Sequence, residues 1–292
     1  MKTFSRILNI LNGIGTTTVS DPPSLFLSLE PLFAKFGGIA MHKPSEIAEL
    51  VENAGVAKAA ASLQNLLVLS VLAGAFIAFG GAFYTMAMTG ADAGFGPARA
   101  LGGLCFSLGL VLVVVGGAEL FTGNALIVMA WVDGHVSGRA LLRNWVIVWF
   151  GNLAGSLLLV VAIATTGLLE GAFGATAAKI ATAKLALDPP ELFARAVLCN
   201  ALVCLAVWLS FAATDVSGKI LAIIFPVTAF VALGFEHSIA NMYLIPTGLI
   251  AGADGSLGAA AANIAIATVG NIIGGAGGVA LAYRHAFKPQ VK

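Results

Sequence analysis

Gly117-Ala118-Glu119-Leu120-Phe121-Thr122-Gly123-Asn124 interrupts what would otherwise be one long apolar stretch. Residues 100–118 carry no charge, and neither do residues 120–132 beyond Glu119. A helix needs about 20 apolar residues to cross a bilayer, so 120–132 is too short to cross alone. The segment therefore reads as a discontinuous helix, broken at membrane depth. Unwound backbone is tolerated there only where protein buries it or where it lines a cavity. The pattern returns as Gly234-Phe235-Glu236-His237-Ser238-Ile239-Ala240-Asn241, flanked by the uncharged runs 220–235 and 238–253. A second match follows each break: Gly151-Asn152-Leu153-Ala154-Gly155 against Gly270-Asn271-Ile272-Ile273-Gly274. Gly234 follows Gly117 by 117 residues, and Gly270 follows Gly151 by 119. The chain thus reads as a duplication.

Working outward, the uncharged runs 59–91, 144–169, 196–214 and 255–283 supply unbroken spans. The expectation is an all-α membrane protein of six transmembrane helices, arranged as two inverted three-helix repeats with broken helices 2 and 5. An odd number of crossings per repeat turns the second repeat over, and paired broken helices in inverted repeats point to a permeation site at the midplane. Composition agrees. Hydrophobic residues make up 59% of the 292-residue chain and charged residues 10%, whereas soluble domains carry about a quarter charged residues. A net charge of +1 gives no nucleic-acid signal. Cys105, Cys199 and Cys204 all lie inside apolar runs and read as small core residues rather than as a disulfide or metal framework.

The ends read differently. Residues 1–41 are polar and Pro-containing, without a convincing signal peptide, and are expected to form a cytoplasmic tail. Residues 42–62 read as an amphipathic helix, with Ile47, Leu50, Val51 and Ala54 on one face. The channel domain spans 63–285 and a short cytoplasmic C-terminus 286–292. Orientation follows the positive-inside rule. With the N-terminus inside, the cytoplasmic segments hold Lys2, Arg6, Lys35, Lys43, Lys58, Arg139, Arg143, Lys219, Arg284, Lys288 and Lys292. The outer side holds only Arg99, Lys179, Lys184 and Arg195. Trp131, Trp145, Trp149 and Trp208 fall near the same ends of the spans, as an interfacial belt requires.

Among residues able to carry chemistry, His237 stands out, because an ionisable group at membrane depth is costly and by default functional. The plainer alternative is a packed histidine bracing the break. His42, His135 and His285 fall in loops or terminal segments and read as solvated. Glu119 and Glu236 hold equivalent places and read as break supports, accepting backbone N–H groups that the break frees. Thr122 can offer its hydroxyl to a pore or cap the following half-helix. Asn124, Asn241, Asn152 and Asn271 sit in apolar sequence, where an unpaired amide costs several kcal/mol. They read as ties, with Asn271 also facing the pore. Lys184, by composition, is an ordinary solvated loop lysine.

Gly116 to Asn124 and Gly234 to Met242 resemble the signature regions of the formate/nitrite transporter family, as do Leu198 to Trp208 and Val269 to Gly275. The similarity runs from about residue 42 to 285. It implies an aquaporin-like protomer, five of which assemble into a homopentamer with a pore in each. By position, His237 becomes the central pore histidine, Thr122 its partner and Asn271 the third member of that group. Lys184 becomes the vestibule lysine, and Phe106, Leu110, Leu120, Val203 and Phe230 narrow the pore around the histidine. The substrates implied are small anions of weak acids (formate, nitrite, hydrosulfide, acetate), passing in the lipid bilayer with proton transfer at His237. No cofactor is implied. A membrane enzyme or redox subunit would need paired haem histidines or a catalytic constellation, which a single buried histidine does not supply. An ammonium or neutral-solute channel fits poorly with a vestibule lysine.

Overall fold

The computed structural model describes residues 41–287; the expected tail over 1–40 and the residues 288–292 lie outside them. Besides a single 3-10 turn at Leu168–Glu170, the helices of the described residues are, in order, α1 Pro44–Ala60, α2 Leu63–Met88, α3 Gly96–Gly116, α4 Gly123–Val132, α5 Gly138–Ala164, α6 Ala172–Leu185, α7 Pro189–Ala212, α8 Val216–Ala232, α9 Ser238–Ile250 and α10 Leu257–Phe287. Helix starts follow local chemistry. Ser62, Ser137 and Ser256 each accept a backbone N–H with the side-chain hydroxyl, and Asp215 does so with its carboxylate. Prolines open α1, α3 and α7, where the missing N–H costs nothing.

Five helices, α2, α3, α5, α7 and α10, are long and apolar enough to cross a membrane. With α8 and its continuation α9, these make a multi-pass membrane protein with six crossings in two inverted repeats. The broken helices are α3/α4 and α8/α9. Each break opens on the same device: Gly117 and Gly234 end α3 and α8 with φ of 80° and 72°, a left-handed turn that only glycine enters freely. The lipid-compatible surface is apolar; α5 alone exposes Leu142, Val146, Phe150, Leu158 and Val161.

The repeat is larger than three spans. Residues 172–185, expected as loop, form α6, which stands before the second set of spans as α1 stands before the first. The alanine-rich stretch Ala172 to Leu185 has strong helix propensity, and its two lysines alone suggested solvent. The packing repeats as well. Gly151 and Gly155 of α5 lie against Ser70 and Val71 of α2, and Gly270 and Gly274 of α10 lie against Ala196 and Val197 of α7. Small residues allow that backbone approach, which drives helix association in lipid. At the meeting of the halves, Trp149 Nε1 donates to Thr268 Oγ1 at 3.1 Å, between equivalent positions of the two repeats.

Two expectations change. Of the four tryptophans only Trp131 faces outward, at 45% exposure. Trp208 is buried and stacks on Tyr283 with centroids 4.2 Å apart, while Trp145 Nε1 donates to the Asn124 carbonyl at 3.0 Å. These indoles are internal struts rather than a belt. His135 is not simply solvated either, since its Nδ1 lies 2.5 Å from the buried Glu52 carboxylate. Nothing in the sequence announced the π-helical segment Ile273–Leu281 within α10, where the Gly-Gly pairs offer little resistance to rewinding.

Replacing Gly155 or Gly274 with valine should force α2 from α5, or α7 from α10, because the new side chain meets backbone carbonyls of Val71 or Val197. The expected loss is about 1–3 kcal/mol or more, read as a lower unfolding temperature in detergent. Gly116→Ala, whose Cβ meets only Phe76 at 3.7 Å, should unfold near the wild-type temperature. Equal stability for all three would refute the close-packing argument.

Candidate permeation site

Opening a helix in apolar surroundings leaves backbone groups that need partners, and one asparagine serves each break. Asn152 Oδ1 accepts the Phe121 N–H at 2.9 Å, and its Nδ2 donates to the carbonyls of Glu119 and Ser70 at 2.9 and 2.8 Å. Asn271 Oδ1 accepts the Ser238 N–H at 2.8 Å, and its Nδ2 donates to the carbonyls of Glu236 and Ala196 at 3.0 and 2.7 Å. The two amides thus do identical work. The side chain of Asn271, expected to bond with Thr122 and His237, makes its hydrogen bonds to the backbone of Ser238, Glu236 and Ala196.

A second network repeats with equal fidelity. Lys58 Nζ donates to Glu119 Oε1 at 2.6 Å, and Asn124 Nδ2 donates to Glu119 Oε2 at 2.7 Å and Asn144 Oδ1 at 2.9 Å. Asn144 Nδ2 closes the ring on the Lys58 carbonyl at 3.1 Å. In the other half, Lys184 Nζ meets Glu236 Oε1 at 2.9 Å, and Asn241 Nδ2 meets Glu236 Oε2 at 2.7 Å and Asn263 Oδ1 at 2.8 Å. Asn263 Nδ2 returns to the Lys184 carbonyl at 3.0 Å. The carboxylates, expected to accept freed backbone N–H groups, pair instead with lysine and asparagine side chains beside the breaks. Lys184 is consequently no solvated loop residue: its side chain is 14% exposed.

Between the two networks lies the feature that is not duplicated. His237, 2% exposed, caps α9 by accepting the Ala240 N–H on Nδ1 at 3.0 Å. A neutral ring accepting on Nδ1 carries its proton on Nε2. Nε2–H therefore donates to Thr122 Oγ1, 2.9 Å away in the opposite break. Thr122 is pinned in turn, its carbonyl accepting from Asn200 Nδ2 and Cys204 Sγ at 3.2 and 3.4 Å. Phe230 stacks over the imidazole at 5.9 Å and meets Phe106 edge-on at 5.8 Å.

Cavities open at opposite ends of α3, α7 and α8. One, of about 430 Å³, is lined by Tyr84, Arg99, Lys184, Arg195 and Glu236 among others; it continues into about 60 Å³ between Phe106, Phe230 and His237. The other, of about 300 Å³, is lined by Lys58, Leu110, Leu120, Asn124, Ser210 and Lys219 among others. Val203, 1% exposed, is among the described lining residues of neither cavity and packs in the core cluster that holds Phe106, Leu110, Leu120 and Phe230. Two water-sized approaches thus end on an apolar plug that contains one buried Thr–His pair.

The family model for the formate/nitrite transporter matches residues 45–285. The chain belongs to that family. The formate channel FocA of Escherichia coli (strain K12) is 41% identical over 211 residues, covering 71% of this chain and 74% of that protein. A solved pentameric formate channel with formate bound is 39% identical with TM-score 0.71, covering 77% of this chain and 97% of its own. A solved FNT family ion channel, 28% identical, superposes with TM-score 0.77 over 84% and 99% of the two chains.

Reading this formate/nitrite transporter from sequence missed Lys58, Asn144 and Asn263. A signal for the asparagines existed. Asn144 precedes Asn152 by the same eight residues that separate Asn263 from Asn271, so the repeat alone pairs them. Lys58 had no such marker, because its counterpart Lys184 is offset by 126 residues rather than by 117 or 119.

Because Glu236 is 4% exposed on its side chain, removing its partner strands a buried carboxylate, which costs about 3–5 kcal/mol. Lys184→Ala should therefore lower the unfolding temperature in detergent, and adding Glu236→Gln should recover most of the loss. An unchanged temperature for Lys184→Ala alone would show that the pair does not support the break.

Proposed function

We propose that the chain conducts formate, or nitrite, across a cell membrane, with one pore in each protomer of a homopentamer and Lys58 at the cytoplasmic mouth. The observation that carries this is the buried Thr122–His237 pair, which lies between apolar side chains that line cavities at opposite ends of the same helices. The formate channels named above support the substrate, the pentameric formate channel supports the assembly, and the distribution of Lys and Arg supports the orientation.

Charge must be handled at the plug. Moving a bare anion into a low-dielectric constriction costs tens of kcal/mol in the idealised limit, whereas the neutral acid passes at little cost. Small anions of weak acids can make that exchange and chloride cannot. In this reading the anion gains a proton at the constriction, crosses as the acid and gives the proton back on leaving, with His237 taking part in the transfer. Hydrosulfide and acetate fall in the same chemical class.

One observation favours a second role for His237. Charging the ring would place a proton on Nδ1 facing the Ala240 N–H and would remove the cap of α9, worth about 1 kcal/mol. Under this reading the imidazole stays neutral, and its Nε2–H fixes the Thr122 hydroxyl so that the O–H is offered to the passing oxyanion.

His237→Asn separates the two, because asparagine keeps a good helix cap and cannot titrate near neutral pH. Formate flux into liposomes should be seen for the wild-type protein; its absence would sink the conduction reading. If His237 exchanges protons, the mutant should assemble yet lose the pH dependence of flux and pass chloride. A wild-type pH profile with chloride still excluded leaves the fixed-donor role.

A further inference from the structure

Among the described residues, each mouth of the pathway holds a cation without a carboxylate partner. Arg99, Lys179, Lys184 and Arg195 line the larger cavity, and Glu236 is the one carboxylate among its described lining residues. Lys184 is held by Glu236 at 2.9 Å. Arg195 is held by Glu191 at 2.6 Å and by the Gly234 carbonyl at 2.9 Å. Lys179 is exposed, where water and salt screen it. Arg99 remains: half-buried, without a hydrogen-bond or ion-pair partner among the described residues, its Nη2 beside Gly234 at the start of the second break. It stands on the first turn of α3, where the helix dipole disfavours a cation.

The opposite mouth has the same arrangement. Lys58 is held by Glu119 at 2.6 Å, and no Asp or Glu is among the described residues lining that cavity. Lys219 lines it, half-buried, without a side-chain partner among the described residues, on the first turn of α8. Asp215, four residues earlier, is engaged as the helix cap by accepting the Gly218 N–H at 2.9 Å. The helices α3 and α8 are repeat counterparts, yet the 117-residue offset aligns Arg99 with Val216 rather than with Lys219. The unpaired cation is thus present in both halves without being the same duplicated residue.

We propose that Arg99 and Lys219 recruit the anion at the two mouths, and that Lys184 and Lys58 serve as counter-ions of the breaks. This rests on the reading of the pathway as an anion conduit. The two recruiters differ in kind. A guanidinium presents a planar fork that grips a carboxylate or nitrite at two points, whereas an ammonium is a point charge indifferent to shape. The Arg99 mouth is therefore selective for planar oxyanions over hydrosulfide, and the Lys219 mouth is not.

The test uses the full chain in oriented proteoliposomes, with initial formate flux measured against concentration from each face at low ionic strength. Arg99→Gln should raise the half-saturating formate concentration several-fold from its own face, leave the maximal flux within about twofold, and flatten the salt dependence. Arg99→Lys should keep part of that rise for formate and none for hydrosulfide. Lys219→Gln should act likewise from the other face only, and Lys179→Gln should leave both faces unchanged. Wild-type half-saturation in both Arg99→Gln and Lys219→Gln, or an equal rise in Lys179→Gln, would overturn the assignment. A wild-type protein that carries no formate would instead fail the conduction reading itself.

Discussion

The rest of the structure depends on the satisfaction of backbone at two points where a membrane helix is opened. Each exposed N–H or C=O in hydrocarbon costs several kcal/mol, and no water need be present to meet them. Asn152 and Asn271 solve this with one amide apiece, tying the unwound turn to the neighbouring span by three hydrogen bonds. An asparagine suits the task because its side chain presents the peptide's own donor and acceptor. The close glycine contacts of α5 on α2 and of α10 on α7 follow from the same need, since the amide must reach across a narrow helix interface.

A carboxylate inside a membrane protein must be paired, and each glutamate here has both oxygens engaged. The lysine that neutralises it comes from α1 in one half and α6 in the other. This gives the two non-spanning helices a purpose that neither the amphipathic face of α1 nor the loop expected in place of α6 disclosed. They bring the cation, and through the carbonyls of Lys58 and Lys184 they accept the second asparagine of each half. Breaks, flanking helices and spans are therefore one hydrogen-bonded unit, repeated.

Sequence disclosed what is periodic or conspicuous. Broken spans, the duplication and the isolation of His237 follow from charges and glycines in apolar runs, and the fold matches them. It disclosed poorly what depends on direction. An indole near a span end can face lipid or protein, and only Trp131 faces outward. A lysine in an alanine-rich segment looks solvated unless the carboxylate 52 residues away is known to meet it. Asn271 could be a tie or a pore residue by composition, and its equivalence to Asn152 was the stronger clue. The His237–Thr122 contact joins positions 115 residues apart, and its basis in the sequence was family resemblance rather than spacing.

That contact also shows how a symmetric scaffold acquires an asymmetric function. The 117-residue offset aligns His237 with Leu120 and Ile239 with Thr122. In each half, then, one of the two break positions is polar and the other apolar, and the choice is reversed between halves. Asn200, which holds the Thr122 carbonyl at 3.2 Å, occupies the place of Gly74, where a side chain would strike the backbone of Asn152. Two copies of the histidine would face each other as like groups, and two copies of the leucine would leave no donor in the apolar plug. The reversed choice puts a single hydrogen-bonded pair at the junction, with phenylalanines towards one mouth and leucines towards the other. Symmetry therefore builds the breaks, and departure from symmetry at three positions supplies the polar group that a passing oxyanion can meet.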